Sequence, residues 1–371
     1  MPITLNGSTG ITTPSIDASA GNSALTTLSV GGNNISSVNS LGFRNRIING
    51  DMRIDQRNAG ASVTPSQASY LVDRWVFNFT QASKFSFQQN AGSVTPPAGF
   101  TNYLGATVVS AVSVGAGDVF VLRQRIEGFN VSDLGWGAAG AQTVTLSFWV
   151  RSSLTGTFGG ALQNNAENRA YPFSYAISAA NTWEQKTVTI AGDTTGTWLT
   201  NNSTGIILNF SLGCGSTFSG TAGAWAANNF NTVTGATSVV GTNGATFYVT
   251  GVQLEAGSVA TPFERRDYGR EAILCYRYYQ QYAGEFQGFC ALNNQAFMSK
   301  NLPVIMRATP TVTISGTLAV DNWGIGSFTG SGSAVETASV GLVRFSVNTS
   351  GRTTGTGVSW QGSSVTISAE L

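Results

Sequence analysis

Thr143-Val144-Thr145-Leu146-Ser147-Phe148-Trp149-Val150 alternates without a break. Val144, Leu146, Phe148 and Val150 share one face; Thr143, Thr145, Ser147 and Trp149 share the other. A strict period of two marks a half-buried β-strand. Glu184–Ile190, EQKTVTI, repeats the pattern with a polar outer face. Around these two lie YLVDRWVFNFT from Tyr70, KFSFQQN from Lys84, DVFVLRQRIEG from Asp118, YPFSYAISA from Tyr171, GIILNFSLG from Gly205 and ATFYVTGVQLEAG from Ala245. All are rich in β-branched and aromatic residues and are bounded by Gly, Asn, Ser or Pro. No helical period separates them, so the body reads as an all-β antiparallel sandwich. The strand number and the long connections fit a jelly roll better than an up-and-down barrel. Trp75, Trp149 and Trp183 sit inside strand patterns and read as core.

Working outward, residues 1–43 differ from the body. Asp17 is their only charge, and sparse Ile, Leu and Val are set among Gly, Ser, Thr and Asn. So little apolar area does not offset the entropy of ordering a lone chain. The segment is either a flexible low-complexity arm or a docking and oligomerisation arm that folds against other chains. Its β-branched residues, and its lack of the Pro, Glu and Lys typical of solvated disorder, favour the second. From Arg44 the charge rises abruptly through Arg46, Asp51, Arg53, Asp55, Arg57, Asp73 and Arg74, with both signs mixed, which favours ion pairs. The alternation Arg53-Ile54-Asp55 reads as strand, and Asn49-Gly50 as a hairpin turn. One helix is expected over 268–282, YGREAILCYRYYQQY, and β signals return from 283 to 371. The expected organisation is therefore an arm (1–43), a jelly-roll sandwich (44–267), a short connecting helix (268–282) and a smaller C-terminal β domain (283–371). Residues 194–254 carry no charge and read as a buried strand pair joined by a long Asn/Gly loop.

Composition removes several functions. Only 10% of the 371 residues are charged, against about 25% in an ordinary domain, and there is no His. Ser-His and Cys-His nucleophile pairs and HExxH zinc sites are thus excluded. A net charge of +1 provides no footprint for nucleic acid. No apolar run is long enough to span a membrane, and the N-terminus lacks a signal-peptide pattern. Cys214, Cys275 and Cys290 show no CxxC spacing and read as reduced, mostly buried thiols of a chain made in a reducing cytoplasm. Glycoside hydrolysis needs two carboxyl groups across a sugar. Asp51/Asp55 and Glu264/Asp267 are the local pairs, but each sits beside Arg, which favours salt bridges. No phosphate loop or DxDxDG calcium loop is present, so no cofactor is expected and no metal ligands are assigned, while backbone carbonyls and a scattered Asp could still hold a cation in a jelly roll.

Binding chemistry rests on aromatics. Sugar faces stack on Trp and Tyr rings, while amides bond to the hydroxyls. Trp136 (DLGWGAAG), Trp198 (TGTWLTNN), Trp225 (AGAWAANNF) and Trp323 (VDNWGIG) lie in Gly/Asn-rich loops and are the glycan candidates. Asn201, Asn202, Asn228 and Asn229 neighbour two of them. Each Trp taken singly also fits a packed loop anchor. At the start of the helix Glu264, Arg265, Arg266, Asp267, Arg270 and Glu271 form a mixed-charge collar. Arg265, Arg266, Asp267 and Arg270, with Tyr276, are candidates for pairing between subunits; a solvated face is the other reading.

Three segments carry a resemblance. Asn45–Arg57, followed by Tyr70-Leu71-Val72-Asp73-Arg74-Trp75, is similar to the N-x-I-x-N-G…Q-R…Y-x-x-D-R-W opening of a family of bacteriophage tail fibre and tail-associated proteins. Val252–Glu264 (VQLEAGSVATPFE), leading to Leu274-Cys275-Tyr276-Arg277-Tyr278-Tyr279, resembles the Q-L-E…A-T-P-F-E and C-x-R-Y-Y segments of the same family. Met306-Arg307-Ala308-Thr309-Pro310-Thr311-Val312 resembles its M-R-x-x-P-T-V strand, and TLNGSTGITTP resembles the N-terminal arms of phage fibres. The matches bracket residues 45–312 in order. The resemblance implies a homotrimeric virion protein, and the thin case for paired carboxylates makes it a non-enzymatic one. Its arm would dock on tail or baseplate proteins, and its sandwich would recognise host-surface polysaccharide. The alternatives are a compact tailspike-type enzyme cutting polysaccharide and a purely structural baseplate or neck component. No binding residue carries over, because the matched motifs look like structural corners.

Overall fold

Inner-face residues of two antiparallel sheets build the main core. The structure, a computed structural model, describes residues 28–30, 33–35, 43–283, 286–292, 294–315, 319–322, 326–329, 333–348, 354–361 and 364–371. Contacts divide the chain into Met1–Arg44 and Asn45–Leu371. In the first unit β1 (Leu28–Val30) pairs antiparallel with β2 (Asn33–Ile35). Most of the expected docking arm lies outside the described residues.

The second unit begins with a long irregular segment. Arg53-Ile54-Asp55 is not a strand, contrary to its alternation. Asn49, with φ +56, makes no hairpin. Its amide instead bonds to Ile54 and to the Asp73 carbonyl and ties the segment into a knot. The strands β3 (Ser69–Val72), β4 (Trp75–Phe79), β5 (Phe85–Gln89), β6 (Leu104–Val108) and β7 (Val119–Glu127) follow. After them come β8 (Val144–Ser152), β9 (Gly156–Gln163), β10 (Ala170–Ile177), β11 (Glu184–Ile190), β12 (Thr204–Cys214), two short strands β13 (Ser219–Gly220) and β14 (Thr232–Val233), and β15 (Thr246–Ala256). One sheet runs β10-β9-β12-β7-β4-β3 and the other β11-β8-β15-β6-β5. Successive strands cross repeatedly between the sheets, which is the jelly-roll arrangement expected. The face of Val144, Leu146, Phe148 and Val150 is fully buried, and Phe148 meets Phe210 of the opposite sheet at 4.9 Å. Each such side chain removed from water contributes about 1.5–3 kcal/mol.

Three expectations need correction here. The two long strands of the charge-free window, β12 and β15, are not a pair, because they lie in opposite sheets; within the window only the short β13 and β14 pair. Trp75 is fully buried, but Trp149 is only half-buried on the outer face of β8, and Trp183, also half-buried, packs at the edge of a small cluster with Tyr103 and Tyr248. The alternation of β8 already turned Trp149 away from Phe148. Finally, the helix α1 (Tyr268–Tyr276) is shorter than 268–282. Asp267 caps it by accepting from the Arg270 amide at 2.9 Å. Tyr279–Ala283 leaves the helix as β16 because it pairs along its length with β25 (Ser364–Ser368).

Between these two strands lie β17 (Gln287–Leu292), β18 (Gln295–Asn301), β19 (Thr311–Ser315), β20 (Ala319–Asn322), β21 (Gly326–Thr329), β22 (Ser333–Ala338), β23 (Leu342–Asn348) and β24 (Gly357–Gln361). They form a sheet β16-β25-β19 and a sheet β21-β20-β24-β17-β18-β23-β22. A second apolar cluster lies here, with Phe286, Met298, Phe345, Val365 and Ile367 buried at its centre.

Candidate functional site

Three of the four loop tryptophans converge. Trp136 comes from the β7–β8 connection, Trp198 from β11–β12 and Trp225 from β12–β15. Their centroids lie 4.8, 5.3 and 5.3 Å apart with interplanar angles of 77–81°, each ring edge-on to its neighbours. Tyr171 of β10 extends the group at 5.3 Å from Trp225. The rings pack onto the sandwich core yet stay half-exposed. Each indole N–H binds within the chain: Trp136 to Gln142 O, Trp225 to Ala191 O, and Trp198 to Thr195 O and the Asp193 carboxylate. Arg169 grips that carboxylate with two bonds of 2.7 Å. Burial pushes the Asp193 carboxyl up, but the bonds from Arg169 and Thr195 outweigh it and hold the group below its ordinary value. A cavity of about 30 Å³ lies behind Trp136 and Trp198. That admits a water and not a sugar ring, so a saccharide would lie on the outer ring surfaces.

The other candidates are placed as follows. Asn201 is exposed, and its side chain accepts from the Ser203 amide; Asn228 is exposed beside Asn229. Asn202 is turned to Arg307, at 3.1 Å to its carbonyl. Trp323 lies outside the described residues. Of the collar, Arg266 points inward: its guanidinium bonds to Asn45 O, to Ile47 O and to Glu271. That internal role replaces the expected subunit contact, because a buried guanidinium requires a counter-charge inside the fold. Asp267 and Arg270 are exposed at the helix start, and Arg265 is exposed against Phe100. Tyr276 is half-buried at a surface groove of about 550 Å³ walled also by Ile273, Leu274, Pro303, Val304 and Ile305.

The motif residues meet at one polar junction between the sandwich and the C-terminal strands. Arg74, with φ +71, is buried. It pairs with Glu370, donates to Arg125 O at 2.6 Å and lies 3.6 Å over the Tyr278 ring. Arg57 bridges Asp73 and Glu370 at 3.0 Å each and lies 3.6 Å over Tyr279. Glu127 accepts from Arg277 at 2.6 Å and from the Tyr278 hydroxyl at 2.7 Å. Arg307 binds the carbonyls of Asn202, Ala369 and Glu370. Asn45 and Gln253 hold the β15 end through Leu254 and Glu264. These are structural corners, and nothing in the spacing of the motifs revealed that they share one junction. Burial raises the Asp73 carboxyl to about 6 and the Tyr70 hydroxyl to about 12.

The carboxylates that the sequence offered for acid–base work are all engaged. Asp51 pairs with Arg53 at 2.5 Å, Asp55 accepts from the Asn58 and Gly60 amides, Glu264 accepts from the Asn45 amide, and Asp267 caps α1. Cys214, Cys275 and Cys290 are free thiols, and burial pushes Cys275 well above its ordinary value. Among the described residues no group of three His, Cys, Asp or Glu side chains forms a metal site, and no helix is long and apolar enough to cross a membrane.

No protein-family model matches the chain, and no curated protein matches it. Several solved structures do. The enzymatically active domain of tailspike protein 4 from bacteriophage CBA120 is 12% identical over 57% of this chain and 21% of its own length, with a TM-score of 0.33. This chain thus spans about a fifth of that tailspike domain. A putative sugar-binding protein from Bacteroides thetaiotaomicron is 12% identical over 58% of this chain and all of its own, with a TM-score of 0.32. The carbohydrate-binding module TmCBM61, solved with β-1,4-galactotriose, is 10% identical over 58% of this chain and 99% of its own, with a TM-score of 0.29.

Proposed function

We propose that this chain is a non-enzymatic bacteriophage tail protein of the tail-fibre type that binds host-surface glycans. One observation carries the glycan reading: Trp136, Trp198 and Trp225, from three separate loops, meet as a half-exposed aromatic group at a single place. Rigid rings offer stacking area at low entropic cost, and the exposed amides of Asn201 and Asn228 are the hydroxyl partners in this reading. The engagement of the candidate carboxylates in structural bonds supports binding over hydrolysis. The tail assignment rests on the three motif segments of the sequence. In this reading residues 1–43 dock on tail or baseplate proteins, and the chain resides in the virion tail. The exposed Ile273 and Ile305 at the Tyr276 groove support self-association, here as a homotrimer.

A glycan array carrying host-surface polysaccharides tests it. Trp198→Ala and Trp225→Ala should each weaken binding about ten-fold, about 1.4 kcal/mol. Binding by neither wild type nor variants, or release of reducing sugar from the polysaccharide, would overturn the proposal.

A further inference from the structure

Trp149 differs from the five other tryptophans whose side chains are described. Trp75, Trp136, Trp183, Trp198 and Trp225 all donate their indole N–H to acceptors within the chain. The Trp149 N–H has no such acceptor among the described residues, and it is not sealed from water. The ring stands on the outer face of β8, half-buried, with exposed Gln185 opposite on β11 and Thr250 opposite on β15.

Next to it the backbone is shaped to admit aromatic rings. The pairing of β8 with β15 shifts register between Thr250 and Gln253, and Gly251 there has φ +61. A Cβ at Gly251 would lie 2.6 Å from Phe100 Cζ and 3.1 Å from Trp149 Cδ1. Only glycine allows both rings to close over this point. Phe100 in turn packs on Phe263 at 5.2 Å. The Arg265 guanidinium lies 4.7 Å from the Phe100 centroid and 5.8 Å from that of Phe263. Gly99, with φ +85, clears room for it, since a Cβ would sit 2.8 Å from Nη2. Arg265 is exposed, and among the described residues it has no ion-pair partner. Asp51, whose carboxyl feels the Arg265 charge, is bound to Arg53.

We infer that this face is a second saccharide site, specific for sugars that bear a carboxylate. The inference rests on the glycan-binding reading above and names the ligand class. A pyranose face lies on the Trp149 ring, and its hydroxyls meet the indole N–H and the Gln185 amide. The sugar carboxylate meets Arg265, whose planar fork is held in place by Phe100 and Phe263 and gives two parallel bonds. An exposed guanidinium over Phe100, the ring beside Trp149 at Gly251, favours an anionic sugar over a neutral one, because only the carboxylate adds charge-assisted bonds.

Binding of the full-length chain to four probes tests this: hexagalacturonate, its methyl ester, a hexamer of α2,8-linked sialic acid and a neutral galactohexaose. At least one acidic probe should bind ten-fold or more tighter than both the ester and the neutral hexamer. Arg265→Gln and Trp149→Ala should each remove that preference, while Trp198→Ala should keep it. Arg265→Gln alters an exposed side chain, and circular dichroism checks the fold of every variant. Equal binding of acidic and uncharged probes, absence of acidic binding, or an unchanged preference in Arg265→Gln overturns the inference. If neutral glycans still bind through Trp198 and Trp225, the broader reading survives that outcome. Loss of all glycan binding would sink both.

Discussion

At the residue scale, the polar junction is held by few groups. Glu370 is the counter-charge of buried Arg74 and shares Arg57 with Asp73. Removing one member of a buried ion pair typically costs about 3–5 kcal/mol. Glu370→Gln is therefore expected to lower the unfolding free energy by an amount in that range, read from a lower urea midpoint at an unchanged slope. Asp73 makes a pH prediction. Burial is the largest influence on its carboxyl and raises it to about 6, against the lowering pull of Arg57; the unfolded value is about 3.9. A raised acid binds its proton more tightly in the fold. Its contribution is complete below about pH 4 and is lost as pH rises through about 6. The stability of wild type minus that of Asp73→Asn, from urea midpoints at several pH values, should fall across that window. A flat difference would contradict the assignment.

At the element scale, legibility follows the range of the forces involved. β8 and β11 were readable because a period of two is written into consecutive residues, whether the polar face meets water, as on β11, or is itself largely covered, as on β8. The end of α1 was not, because YRYYQQY suits either state and its strand partner lies near residue 366. The loop tryptophans were readable as residue types, since Gly and Asn surround them. Their meeting at about 5 Å was not, because it depends on three connections between strands of both sheets. Trp149 was read as core although its own strand pattern placed it opposite Phe148. The motif segments were legible as corners but not as one junction, since Arg57 and Glu370 stand 313 positions apart. Two substitutions probe these elements. Asp267→Ala removes the cap of α1 and should cost about 1 kcal/mol, measured by thermal melting. Gly251→Ala places a Cβ at φ +61 against Phe100 and Trp149 and should cost about 1–3 kcal/mol. It should also alter tryptophan fluorescence as the two rings part.

At the scale of the whole molecule, residues Asn45–Leu371 contain both large apolar clusters. A chain beginning at Phe43 is expected to melt as the intact chain does, when each is measured as a monomer. Sedimentation should register the loss of the arm as weaker self-association. Unchanged assembly in that truncate would remove the arm from the homotrimer proposal.

The junction also orders events during synthesis. Arg57 and Arg74 leave the ribosome well before Glu370, the carboxylate that Arg74 pairs with and that Arg57 shares with Asp73. Until translation has delivered it, Arg57 pairs only with Asp73, the Arg74 guanidinium stays hydrated, and the seam between sandwich and C-terminal strands stays open. Contacts of such long sequence separation form slowly. Arg74 and its carboxylate stand 296 positions apart, so the nascent chain exposes an unfinished edge while all the residues between them are made.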